Sequence, residues 1–289
     1  MPNLITPPSV RALAREKGID IEELARSTGR SSIAREDLEA GRSAAGDASY
    51  WDVDHAAFGP VREELTSRMA QLSAANLSAA NSLIPQVTHH DRADATMLET
   101  MRVRLKSDAQ ARGIKLTALA FHVKALARAL RKFPHFNASL SVDGKRLFLK
   151  GYVHIGIAVD TPYGLVVPVL RDVDRKGAWQ IAAELTDFAG RAQERKIRPQ
   201  EMGGASMSIT SLGGIGGIGF TPIVNPPEVA VLGISRNETV TVWQGGTPHP
   251  VSMVPLDLSY DHRVINGADA ARFLVYYGRL IADPRRILL

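Results

Sequence analysis

The sequence predicts an α/β protein in which helices pack on a mixed sheet, preceded by a small all-α module. Three observations carry that prediction. From about residue 60 onward, segments with helical and with strand-like patterning alternate to the end of the chain. The strand-like segments outnumber those of a strict strand-helix-strand repeat, so the sheet is expected to be mixed. A small, polar stretch around Ser43-Ala44-Ala45-Gly46-Asp47 has linker composition and sets off a short N-terminal segment. The 289 residues therefore divide into a module over 1–42, a linker over 43–58 and a large domain over 59–289.

In the module, Ser9 to Glu16 places Val10, Leu13 and Ala14 on one helical face, with Ser9 as N-cap after Pro7-Pro8. Ile19, Ile21 and Leu24 read as a connecting stretch, and Ser32 to Leu38 as a second short helix. In the large domain, Val61 to Asn81 and Met97 to Arg112 are patterned as helices. Leu116 to Arg131 is patterned more strongly, with Leu119, Val123, Leu126 and Leu130 at helical spacing. Val153 to Val159 and Leu165 to Leu170 are β-branched runs joined by Asp160-Thr161-Pro162-Tyr163-Gly164, a hairpin-type signal. Trp179 to Arg195 returns to helix. Ser206 to Thr210, Val229 to Ile234, Thr239 to Trp243 and Val251 to Ser259 read as strands, and Ala268 to Ile281 as a closing helix.

Composition narrows the chemistry. Apolar residues make up 45% and charged residues 22%, ordinary for a folded soluble chain. No apolar run approaches the roughly 18 to 20 residues that span a bilayer. Met1 is followed by neither the basic start nor the apolar stretch of a secretory signal, so a cytoplasmic protein is expected. The absence of cysteine excludes disulfides, thiolate metal sites and a cysteine nucleophile, leaving any thiol chemistry to the substrates' own thiols. A net charge of +5, spread without Lys/Arg blocks or interleaved aromatics, suits a polyanionic small ligand better than nucleic acid.

Chemistry concentrates in Leu256 to Gly267. Leu256, Leu258 and Tyr260 alternate with Asp257, Ser259 and Asp261, which predicts a half-buried strand with His262 at its end and Asn266 capping the following helix. A histidine at such a junction is well placed to accept a proton, although a lone histidine is more often a hydrogen-bonded structural residue. Gly214-Ile215-Gly216-Gly217-Ile218-Gly219 fits the dinucleotide pattern GxGxxG. Its context does not: Pro222, Pro226 and Pro227 block the helix that a dinucleotide fingerprint must open, so these glycines are read as a close backbone approach at a subunit contact or channel wall. His89-His90-Asp91 looks like a metal cluster, but neighbours on a strand point to opposite faces, and the run is read as structural. No metal site is expected.

Beyond these readings, the chain resembles the dihydrolipoamide acyltransferases, whose catalytic domain carries an HxxxDG motif, here His262 to Gly267 with Asn266 in the aspartate position. Further blocks that look like the family's stand in its order: Ile84 to Asp91, Phe133 to Leu140, Gly164 to Val169, Ser208 to Gly214 and Phe220 to Glu228. The resemblance implies a chloramphenicol-acetyltransferase-like fold and acyl transfer between two thiols entering a channel from opposite ends. It makes His262 the general base and places the oxyanion-stabilising hydroxyl on Thr210. Asn266 keeps an orienting role, since an amide hydrogen-bonds but carries no charge. Without the resemblance Thr210 is a plain strand threonine.

Residues 1–42 resemble the family's peripheral subunit-binding domain, through Thr6 to Asp20, Ser27-Thr28-Gly29 and Arg35 to Leu38. That implies docking of dihydrolipoamide dehydrogenase or the 2-oxo acid decarboxylase through Arg11, Arg15 and Arg35; the plain alternative is that these are solvated helix residues. The family implies a homotrimer with histidine and hydroxyl contributed by adjacent subunits. An apolar C-terminal tail resembles members that assemble into 24-subunit cubes. The resemblance implies coenzyme A as one substrate and a dihydrolipoyl group as the other; no lipoyl domain is present in this sequence, so either the chain is a fragment or the lipoyl group comes from another domain or chain. The blocks around Ile84 to Asp91 and His262 to Phe273 look closest to pyruvate-type members, which implies an acetyl group. Two other classes remain open at this stage: a non-catalytic scaffold for partner enzymes, and an independent acetyltransferase acting on a small alcohol or amine.

Overall fold

A computed structural model describes residues 6–16, 19–28, 32–34, 38 and 53–288, in two compact units, Met1–Leu65 and Thr66–Leu289. In the first unit, helix α1 (Pro8–Glu16) begins one residue before Ser9. The carbonyl of Pro7 accepts the N–H groups of Val10 at 3.0 Å and Arg11 at 3.1 Å, and Pro8 takes the first helical position, where a fixed φ and a missing N–H cost nothing. Ser9 is thus inside the helix and does not cap it. A second helix, α2 (Ile21–Thr28), occupies part of the expected connecting stretch. Asp20 starts it by accepting the N–H of Glu22 on its carboxylate at 2.8 Å and that of Leu24 on its carbonyl at 3.0 Å. Ile21, Leu24 and Ala25, at helical spacing, then pack around Val10, Ala14, Ile33 and Leu38. Ser32 to Ala34 are not helical; Arg35 to Asp37, part of the expected helix, lie outside the described residues, as do 43–52 of the linker.

The second unit opens with α3 (Arg68–Leu83). The helical pattern had suggested a start at Val61, but Ser67 accepts the N–H of Ala70 at 3.2 Å and sets the start there. The span expected as one helix from Met97 to Arg112 is two, α4 (Thr96–Arg104) and α5 (Lys106–Ala111), separated at Leu105. Helices α6 (Ala118–Lys132), α7 (Ala178–Gln193), α8 (Gly267–Ala282) and α9 (Arg285–Leu288) follow. Among the described residues no helix is long and apolar enough to cross a membrane.

The strands are β1 (Gln86–Asp94), β2 (Ala138–Leu140), β3 (Leu147–Leu149), β4 (Ile155–Ile157), β5 (Val169–Leu170), β6 (Met207–Ser211), β7 (Ala230–Ile234), β8 (Glu238–Gln244) and β9 (Thr247–Asp261). Seven of them form one sheet in the order β1-β9-β7-β6-β4-β5, with β8 also on β9, while β2 and β3 make a separate hairpin. Only the β4-β6 and β6-β7 neighbours are parallel, so the sheet is mixed, as expected. The reversal at 160–164 does join antiparallel partners, Ile155 opposite Leu170 and Val159 opposite Val166.

The sheet's two faces differ in kind. On one, Ile155, Ile157, Met207, Ile209, Leu232, Ile234, Leu256, Leu258 and Tyr260 join the apolar core with α6, α7 and α8. On the other lie Ser208, Asp257, Ser259 and Asp261. The alternation over 256–261 predicts a half-buried strand, yet Asp257, Ser259 and Asp261 are as buried as their apolar neighbours. Burial of such groups is tolerable only with partners, and each has one: His90, Thr88 and Arg263 respectively.

Candidate active site

His262 stands in the turn after β9, with its backbone held on every side. Asp261 N–H donates to Val229 O at 2.9 Å, His262 N–H to Pro85 O at 3.1 Å, and Asp261 O accepts from Val264 and Ile265, both at 3.0 Å. The buried Asp261 carboxylate grips the Arg263 guanidinium on both oxygens, at 2.9 and 2.7 Å, which also raises the guanidinium's pKa. Between these clamped neighbours the His262 side chain is exposed, its ring 5.9 Å from that of Tyr260. Asn266 caps α8: its side-chain oxygen accepts the Asp269 N–H at 2.9 Å.

Thr210 lies near the opposite end of the sheet. It is level with Gly233 on β7, which is level with Asp257 on β9. His262 is five residues beyond Asp257. At about 3.3 Å per residue that is roughly 16 Å along the strand, with two interstrand spacings of about 4.8 Å across. Two side chains cannot bridge that gap. Within one chain, therefore, the structure does not bring Thr210 and His262 together, whereas it places His262 and Asn266 on the same short turn.

A cavity of about 750 Å³ opens at the carboxyl ends of the parallel strands β6 and β7 on the helical side of the sheet, with Ser211, the residue after Thr210, and Gly213, Gly214 and Ile234 in its wall; the Thr210 position lies on the other face. Ligands of open α/β sheets characteristically bind at such strand ends. Arg102, Lys106, Lys115 and Arg236 line it and make its rim cationic. Arg102 is paired with Glu99 at 2.8 Å, and Arg236 holds the turn of Ile215 through its carbonyl at 2.7 Å; Lys106 and Lys115 have no ion pair among the described residues. His122 closes the inner wall. Burial lowers its pKa to about 4, and its Nδ1 lies 2.7 Å from the Tyr277 hydroxyl, so it contributes a neutral imidazole. The sequence by itself points to no ligand-binding residues, because these cations come from separate segments with no spacing signature.

The glycines of 214–219 form a turn with no helix after them, and Gly213 and Gly214 belong to the cavity wall. Two residues before Thr210, Ser208 Oγ donates to Glu228 at 2.9 Å. Burial raises the Glu228 pKa to about 7, against the lowering effects of Ser208 and Lys150. Among the described residues no group of three or more His, Cys, Asp or Glu side chains is arranged to hold a metal ion. Arg11 and Arg15 are exposed on α1; Arg35 lies outside the described residues.

Mixed sheet, apolar helical face and basic strand-end cavity define an α/β domain with a candidate site for an anionic ligand. A family model described as the 2-oxoacid dehydrogenases acyltransferase (catalytic domain) matches residues 59–289, and the chain belongs to that family. Among curated relatives, the dihydrolipoyllysine-residue acetyltransferase component of the pyruvate dehydrogenase complex of Pseudomonas aeruginosa is 47% identical, with 98% of this chain and 54% of the relative covered. The protein of the same description from Azotobacter vinelandii is 45% identical, over 98% of this chain and 47% of the relative. The chain thus spans about half the length of these relatives. Two solved structures match with TM-scores of 0.80, each over 82% of this chain and 98% of the other. One, 49% identical, is an Azotobacter vinelandii dihydrolipoamide acetyltransferase studied for the catalytic roles of a serine, a histidine and an asparagine; the other, 50% identical, is the cubic core of a pyruvate dehydrogenase multienzyme complex.

Proposed function

We propose that this chain moves an acetyl group between coenzyme A and a dihydrolipoyl thiol, as the core of a pyruvate-type 2-oxo acid dehydrogenase complex, at a site completed by two copies. The observation that carries this reading is the separation of His262 from Thr210 and the cavity, at opposite ends of one sheet. An exposed, rigidly mounted imidazole that the sheet holds far from Thr210 calls for a neighbour that presents the other half. Supporting it, the serine, histidine and asparagine studied in the Azotobacter vinelandii acetyltransferase are spaced as Thr210, His262 and Asn266 are here.

In this reading the His262 imidazole takes the proton of the attacking thiol, and the thiolate adds to the thioester carbonyl. The Thr210 hydroxyl of the adjacent copy donates a hydrogen bond to the oxyanion of the tetrahedral intermediate. Collapse breaks the original carbon–sulfur bond, and the departing thiolate takes the proton back from the imidazolium. Asn266, its oxygen committed to the Asp269 N–H, acts by fixing the turn that carries His262. Coenzyme A's phosphates suit the cavity rim of Arg102, Lys106, Lys115 and Arg236.

The finer assignments form part of the same proposal: a homotrimer assembling into a 24-subunit core, a lipoyl group delivered from another domain or chain, and an N-terminal module over 1–42 that docks dihydrolipoamide dehydrogenase or the decarboxylase through Arg11, Arg15 and Arg35, in the cytoplasm. The solved cubic core, at 50% identity, supports the assembly. The deciding assay is acetyl transfer from acetyl-CoA to free dihydrolipoamide, comparing the wild type with His262→Ala. Robust wild-type transfer that the substitution abolishes is the expected result. Equal inactivity would make the chain a scaffold, and preference for an alcohol or amine acceptor would make it a different acetyltransferase.

A further inference from the structure

The row of side chains that begins at Thr210 continues across the polar face of the sheet. Thr210, Gly233, Asp257 and His90 are successive register partners on β6, β7, β9 and β1, so their side-chain positions lie on one face in one line. Asp257 is 2% exposed, and both of its oxygens are used. Oδ1 lies 2.6 Å from His90 Nδ1, and Oδ2 accepts the backbone N–H of Phe220 at 3.2 Å. Phe220 ends the glycine-rich turn whose first residues wall the cavity, and the turn's other end is tied down by Arg236 at Ile215 O.

Two glycines allow that closure. A Cβ on Gly219 would meet Asp257 Oδ1 at 3.3 Å, so a bare backbone lets the turn reach the carboxylate. A Cβ on Gly233 would meet Phe220 Cζ at 2.7 Å and Asp257 Cβ at 3.2 Å. The Phe220 ring therefore occupies the space that a side chain at 233 would fill, immediately beside Thr210 in the row.

We infer that Asp257, steadied by His90, is a positioning residue that latches the 213–220 turn to the sheet and seats Phe220 against Thr210. The inference rests on the proposed function, since Thr210 is the group it serves. Freed from Asp257, the Phe220 end of the turn lifts, its seat empties and the hydroxyl loses its wall, while the 213–215 end, held by Arg236, keeps its place in the cavity wall. The effect belongs in the chemical step: a displacement of about 1 Å near reacting groups can cost on the order of 100-fold, whereas the cations that hold phosphates are untouched.

The test takes Asp257→Ala, Asp257→Asn and Gly233→Ala in the assembled protein, with kcat and KM for acetyl-CoA and amide hydrogen exchange over 213–221 as readouts. Asp257→Ala is expected to lower kcat about 10- to 100-fold, leave KM for acetyl-CoA nearly unchanged and speed exchange in the turn. Asp257→Asn keeps an oxygen for Phe220 N–H and a polar atom facing His90 Nδ1, and is expected to recover most of the loss. Gly233→Ala retains the Asp257 carboxylate but crowds Phe220 and the Asp257 Cβ; it is expected to lower kcat as Asp257→Ala does, and it serves if Asp257→Ala does not fold. Unchanged turn exchange in Asp257→Ala, or in Gly233→Ala where it stands in, would overturn the latch whether or not the protein transfers acetyl groups. An active wild type whose Asp257→Asn is as impaired as Asp257→Ala, or whose Gly233→Ala is unimpaired, would overturn it too. Inactive wild type with a loosened turn would instead remove only the proposed function.

Discussion

Two inactive variants, mixed, should make an active protein. His262→Ala removes the proton acceptor and Thr210→Ala the oxyanion donor, each expected to cost about 100- to 1000-fold in kcat. Within a chain the two positions are roughly 16 Å apart along the sheet, on oppositely directed strands with β7 between them, so no side-chain rearrangement brings them together. If each site pairs the histidine of one copy with the threonine of the next, subunits mixed in equal amounts and reassembled at random place both intact groups together in about one site in four, as head-to-tail interfaces in a ring require. The assay is acetyl transfer to dihydrolipoamide before and after dissociation and reassociation of the mixture. Recovery of about a quarter of wild-type kcat is the expected result. Reassembled mixtures as inactive as either parent would show that the groups act within one chain or not at all, and would refute the shared site.

Three further outcomes follow from single contacts. Lys115→Ala is expected to raise KM for acetyl-CoA several-fold, most at low ionic strength, with KM for dihydrolipoamide unchanged; initial-rate kinetics at two salt concentrations would show it. Gly156→Ala should destabilise the protein by about 1–3 kcal/mol, read as a lower thermal midpoint, because its Cβ would meet Ser208 Oγ and lie 3.0 Å from Val167 Cγ1. Glu228, with its folded pKa raised to about 7, binds its proton more tightly folded than unfolded, so its contribution is full below the unfolded value near 4.5 and is lost as pH rises through about 7. The loss amounts to about 3 kcal/mol, and Glu228→Gln should flatten that segment of a pH–stability curve measured by chemical denaturation.

Periodicity alone located most of the core elements. The helix at 118–132 and the strands at 207–211 and 230–234 lie within a residue or two of where spacing and β-branched runs put them, because each buries a continuous apolar stripe that the chain spells out locally. Boundaries set by capping were less legible. Asp20 and Ser67 each cap a helix through one side-chain hydrogen bond, and other short polar residues nearby look no different from them in one dimension.

The composition and motifs of this chain determined its class, its lack of thiol groups and the imidazole and hydroxyl on which its proposed chemistry turns, since residue types and their order need no third dimension. Tertiary structure decided where those groups stand. Strand register puts Thr210 at the strand ends where a basic cavity opens on the sheet's other face, and His262 far from both, a separation invisible in a linear interval because β6 and β9 run in opposite directions two strands apart. It also turned the polar half of β9 inward, where Thr88, His90 and Arg263 satisfy Ser259, Asp257 and Asp261. Alternation tells which residues share a face but not what covers it; only long-range packing settles whether that face meets water.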